Sequence, residues 1–234
     1  MTLRKLITFQ IAFIVVVVVA TVLLYPRLPA SIPTHWSLHL DRPDGFMPKW
    51  CALVIGPGLL TAICALTRIL AWASPHGYQV DGAQSSYRRI MLIAFCIWLL
   101  FYGAILWAAL GSPARAGIVI GIGYCTGLTL IGNVLGKLKR NFFIGVITPW
   151  TITSERVWYA THRLAAWLWV SCGITALALL LTGFPVGAGL LLIAGWYGPK
   201  LYSLALYKRL DRRGELSVNP SVESEAKSSG NIDR

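Results

Sequence analysis

With 234 residues, 56% of them hydrophobic, and a mean hydropathy of +0.64, the chain carries more apolar surface than a single soluble core hides, which excludes an ordinary soluble domain. Its formal charge of +12 lies in short basic clusters between apolar runs, a placement that reads as membrane orientation and argues against nucleic-acid binding. The five cysteines stand singly in apolar stretches without a Cys-x-x-Cys, so neither a disulfide framework nor a zinc site is indicated.

The first apolar run, Leu6 to Leu24, follows Arg4 and Lys5. It exceeds the roughly 7–15 residues of a signal-peptide core and approaches the ~20 that span a bilayer, so it is expected to be an uncleaved transmembrane helix. From Tyr25 to Trp50, Pro26, Pro29, Pro33, Pro43 and Pro48 exclude a long helix, because each removes a backbone donor and restricts the residue before it. This stretch is expected to be a loop or a small extended cap outside the hydrocarbon. His35 and His39, followed by Asp41 and Asp44, would suit a divalent ion were the segment helical; the prolines argue against that turn, and the alternative is two exposed histidines in a capping loop. No metal and no cofactor is expected.

A second span is expected from about Cys51 to Trp72, with a kink at Gly56-Pro57-Gly58 that neighbouring helices would accommodate. A polar link from Ala73 to Arg89, holding Asp81 and Arg88-Arg89, leads to a third span from about Ile90 to Leu110. Gly111-Ser112-Pro113 breaks it before a fourth, from about Ala116 to Leu135. The fourth carries Gly117 with Gly121, Gly123 with Gly127, and Gly132 with Gly136, pairs that let backbones approach closely and put this helix at the centre of the bundle.

Between Gly132 and Arg163 basic and amide groups alternate with Phe142, Phe143, Trp150, Trp158 and Tyr159, the composition of chain lying structured at a membrane surface. Pro149 suits a first helical position with Thr148 as its cap, and Ser154 with Glu155 suits a helix start equally well. Glu155, Trp158 and His162 then share one helical face. That strip reads either as a binding or proton-exchanging site or as a surface helix with ordinary caps and anchors. Asn133, the most interior polar residue of the segment, needs a partner in hydrocarbon and is expected to reach a neighbouring helix.

A fifth span is expected from about Leu164 to Leu181, a turn at Gly183-Phe184-Pro185, a sixth span from about Val186 to Tyr207, and a disordered tail over 208–234. With the N-terminus inside, Lys and Arg concentrate in the inner segments, so the chain reads as an all-α polytopic membrane bundle of six transmembrane helices with both termini cytoplasmic. No Asp or Glu lies within an expected span, and no phosphate loop, nucleophile elbow or His-Glu-x-x-His is present, so the protein is not expected to be an enzyme.

The order Gly132-Asn133, Lys139, Asn141, Gly145, Thr148-Pro149-Trp150-Thr151, Ser154, Trp158 and Thr161-His162-Arg163 resembles the signature of the SdpI family, bacterial membrane proteins named after an immunity factor. The family pattern usually has Arg before Thr-Pro-Trp, where this chain has Ile147; Arg140 and Arg156 are the neighbours that could supply the charge. Tyr25-Pro26 with Leu28-Pro29, Ile32-Pro33-Thr34-His35-Trp36 and Pro43-Asp44-Gly45 resemble the domain of unknown function 1648, often found ahead of an SdpI domain. Together these imply a first unit over 1–50, extending into the second span to about 72, and a four-helix SdpI-like unit over 90–207. They imply a multi-pass bacterial inner-membrane protein that protects against a membrane-active peptide toxin, with a signalling role through a cytoplasmic repressor. The alternative is a small transporter or membrane enzyme for a lipid or small solute. The residues expected to carry function are the signature ones, with Glu155, and in the outer loop Pro33, His35, Trp36 and Asp44.

Overall fold

The computed structural model describes residues 1–74 and 85–216; Asp81 and most of the expected tail lie outside them. Seven helices and one hairpin follow in order: α1 (Leu3–Leu24), β1 (Ser31–Trp36), β2 (Pro43–Pro48), α2 (Cys51–Ala73), α3 (Ser85–Ala109), α4 (Pro113–Leu135), α5 (Pro149–Thr153), α6 (Glu155–Leu181) and α7 (Pro185–Arg212). The protein is an all-α membrane bundle, with one small sheet among the described residues.

Five helices, α1, α2, α3, α4 and α6, are long and apolar enough to cross a membrane. The sixth expected span is α7, 28 residues long with Pro199 inside and Arg209 and Arg212 in its last turn. At 1.5 Å per residue it extends about 42 Å, long enough for a bilayer, but it is less apolar than the other five, so five of the six expected spans are matched among the described residues. It continues through Lys208 to Arg212, so the tail begins later than the charge pattern suggests. Likewise α3 starts at Ser85, taking Arg88 and Arg89 into its first turns.

Apolar side chains face outward as readily as inward, as expected when lipid is the solvent: Val15, Val16, Val18, Val19 and Val22 of α1 are all exposed. Inside, association relies on packing and on a few polar links. The buried amide of Gln10 donates to Thr67 Oγ1 at 3.3 Å, joining α1 to α2. Tyr102 donates to the Ala52 carbonyl at 2.9 Å and meets Thr21 Oγ1 at 2.7 Å, tying α3 to α2 and α1. Its ring lies on Gly56, where an added Cβ would come within 2.2 Å. The helix α2 passes through Pro57 as one element.

α4 is central, as its glycines suggest, packing against α3 and α6 and touching α7 and β2. What the glycines admit differs along its length. Gly117 and Gly121 receive Trp36 and Leu40 of the hairpin together with Leu180, Gly123 receives Leu100 and Phe101, and Gly132 receives the α6 backbone at Val170 and the Cβ of Trp169.

The proline-rich stretch folds as an antiparallel hairpin, β1 against β2, with two irregularities of register. A two-stranded ribbon has only edges, which is where proline is tolerated in a sheet. Ile32 and Trp36 turn inward, and Trp36 Nε1 donates to the Pro113 carbonyl at 2.8 Å, fastening the hairpin to the start of α4. At its tip Ser37 Oγ donates to Asp41 Oδ1 at 2.6 Å, holding that carboxyl below the usual range. Since His35 sits in a strand, the helical spacing that would have joined it to His39 as metal ligands is lost; it pairs instead with Asp44 across the ribbon. No group of three His, Cys, Asp or Glu suited to a metal exists among the described residues.

Candidate functional site

The segment from Lys137 to Arg163 folds into a knot at one end of the bundle, closed over the start of α6. Asn141 organises its first half. Its buried side chain accepts from the Phe143 and Ile144 amides at 2.9 and 2.7 Å, and donates to the Lys139 and Ile144 carbonyls at 3.0 Å each. All its hydrogen-bonding capacity thus goes into bending the chain around itself.

The bend reaches Gly145, whose φ of +122° is reserved for glycine and whose missing side chain makes room for His162. A Cβ there would sit 2.3 Å from His162 Nε2. The next amide, of Val146, donates to that nitrogen at 3.1 Å, while Nδ1 lies 2.8 Å from the Trp158 carbonyl. These contacts assign the tautomer: Nδ1 carries the proton and Nε2 accepts, so the imidazole is neutral in this arrangement. Trp158 stacks on His162 with ring centroids 3.9 Å apart, and donates its indole N–H to the Leu138 carbonyl at 3.0 Å. Both rings are fully buried, within a cluster that includes Leu135, Leu138, Val146, Ala165 and Trp169.

Both expected helix starts occur. Thr148 caps α5 with Pro149 in first position and Thr151 answering in a reciprocal capping box, and Ser154 caps α6 through the Val157 amide. Buried Thr151 also donates to the Val146 carbonyl at 2.9 Å, returning α5 to the bend. Trp150 donates its indole N–H to buried Ser203, which ties α5 to α7.

Similarity to known proteins follows this geometry. Residues 137–203 match the SdpI/YfhL protein family, and residues 12–61 match the domain of unknown function 1648. The chain is 27% identical to the immunity protein SdpI of Bacillus subtilis (strain 168) over 167 residues, covering 70% of this chain and 76% of that protein. No solved structure matches. With its long apolar helices, the chain is a multi-pass cell-membrane protein.

The signature residues divide by what their polar groups do. Asn141, Gly145, Thr148, Trp150, Trp158 and His162 are consumed in building the knot. Glu155 departs from its expected strip, standing exposed 3.5 Å from Arg140 while Trp158 and His162 point inward. Asn133 also corrects the expectation. It is exposed rather than buried between helices, at the open rim of the groove between α4 and α6. Lys139 and Arg163 are exposed too.

Ile147 is half-buried in the bend, and Arg140 donates to the Ile152 carbonyl at 3.1 Å. Arg156 turns away to Glu215 at 2.7 Å. In the hairpin, Pro33 and Trp36 are buried, while His35 and Asp44 are exposed. Sequence reasoning passed over Gln10, Thr67 and Ser203. A lone glutamine within a 22-residue apolar helix was a visible signal. Nothing local marks Ser203, whose partner lies 53 residues away.

Proposed function

We propose that this protein is an SdpI-like membrane immunity protein, protecting the cell that carries it against a membrane-active peptide toxin. The observation that carries the reading is its similarity to the immunity protein SdpI across 70% of the chain, including the segment that folds into the buried knot. In this reading the hairpin faces outward, where Leu38, Phe46 and Met47 offer exposed apolar surface to an arriving peptide. The basic loop faces the cytoplasm by the excess of Lys and Arg around it, and presents Lys139 and its neighbours to a repressor.

The buried rings fit a structural part in this reading. Both nitrogens of His162 and the indole N–H of Trp158 are engaged by backbone. The experiment is survival of a toxin-sensitive bacterium expressing wild type, His162→Ala, Asn141→Ala, or the hairpin variant Leu38→Ser/Phe46→Ser, at matched membrane levels. Protection by wild type, lost in the knot variants and weakened in the hairpin variant, is expected. Full sensitivity of cells holding correctly inserted wild type would refute the reading.

A further inference from the structure

One groove next to the knot is built from residues that the fold leaves unused. It lies between α4 and α6, encloses about 350 Å³, and is lined by Asn133 of α4, Lys137 of the turn after it, and Arg163, Ala166, Trp167 and Val170 of α6, over a floor of Gly132 and Gly136. The floor is low because the helices meet at Gly132, where a Cβ would stand 2.8 Å from Trp169 Cβ.

Several other cations are engaged elsewhere, Arg140 with Ile152 and Glu155, Arg156 and Arg213 with Glu215, Lys200 over Trp196 and Tyr197, while exposed Lys139 lies outside the groove lining. Among the described residues, Lys137, Arg163 and Asn133 have no side-chain partner, although all three line this groove and are exposed. No acidic side chain lines it. Its far wall is apolar, running along α6 from Arg163 through Ala166 and Trp167 to Val170, with the Trp167 indole 78% exposed.

Two free cations and an amide donor above an apolar wall match one chemistry, an anionic phosphate group attached to a hydrocarbon chain. Indole settles at headgroup depth, and basic pockets between transmembrane helices favour anionic headgroups. We propose that this groove is a binding site for an anionic phospholipid, with Lys137, Arg163 and Asn133 on the phosphate and an acyl chain along Trp167 and Val170. The site holds the α4–α6 seam beside the knot in register with the charged leaflet.

The test uses the full chain in a neutral detergent, with retention of phosphatidylglycerol and phosphatidylcholine read by native mass spectrometry. Wild type retains phosphatidylglycerol preferentially. Lys137→Gln/Arg163→Gln weakens it about thirtyfold, from the usual contribution of two basic residues near anionic headgroups. The charge-preserving Lys137→Arg/Arg163→Lys keeps it, as does Lys208→Gln/Arg209→Gln at the separate basic end of α7. Equal retention of both lipids, or unchanged retention in the glutamine pair, overturns the proposal. Displacement of the lipid by millimolar inorganic phosphate also overturns it, assigning a soluble-anion site instead.

Discussion

Asn141→Asp is the most discriminating single change in the knot, because it preserves shape and alters two atoms' worth of chemistry. The carboxylate can still accept from Phe143 and Ile144, but it loses both donations and sets an anionic oxygen 3.0 Å from the Lys139 and Ile144 carbonyls. Each lost bond is worth about 1 kcal/mol net, and up to ~3 where a buried acceptor is left unpaired, so two give roughly 2–6 kcal/mol. The Lys139 carbonyl belongs to the peptide bond that trypsin cuts after Lys139, so the side chain guards a scissile bond. Where cutting proceeds through local opening, even 2 kcal/mol raises its rate about thirtyfold. Limited trypsin digestion in detergent, with fragments identified by mass, reads the Lys139 cut against cuts elsewhere. A Lys139 cleavage rate in Asn141→Asp equal to that of wild type would refute the account of Asn141 as the loop's organiser.

Gly145→Ala combines forbidden backbone with a collision at His162 and is expected to cost roughly 2–5 kcal/mol. Gly183→Ala, also at positive φ but with open space around it, should cost only about 1–2 kcal/mol, a difference visible in tryptophan-fluorescence melting. Trp36→Phe removes the indole hydrogen bond to the Pro113 carbonyl, so hydrogen exchange in the hairpin should accelerate while the α6 core stays protected. Asp41 should titrate below 3.8 by carbon NMR, and Ser37→Ala should return it toward the ordinary value. Because the folded value is depressed, its contribution to the turn is present above the unfolded value and is lost as pH falls through the folded one.

The long helices were legible because lipid leaves the backbone no alternative, and Thr148-Pro149 and Ser154 declared two starts through cap chemistry that is strictly local. Sequence also showed that Gly132 to Arg163 was special, but not how its parts divide. Whether Asn133 faces a helix or the outside depends on the rotation of α4, which Trp169 and Leu180 on a distant helix set. The hairpin was hidden by its prolines, which normally argue against strands; only a ribbon with no third partner admits Pro43 and Pro48 as strand residues. The small-residue pairs announced close approach without saying that a tryptophan and a leucine, rather than a helix backbone, would fill two of them.

The clasp between Trp36 and Pro113 also sets a timetable. Its partners are 77 residues apart in the chain, so the first ribbon residues leave the ribosome well before their anchor exists. At ordinary elongation rates of ~5–20 residues per second the delay is roughly 4–15 s. During that interval the ribbon is without its landing place, Trp36 is uncovered, and the first two helices stand in the bilayer without the fourth. A nascent chain stalled before Pro113 would therefore present the same tryptophan, accessible, to chaperones and proteases that never meet it in the finished protein.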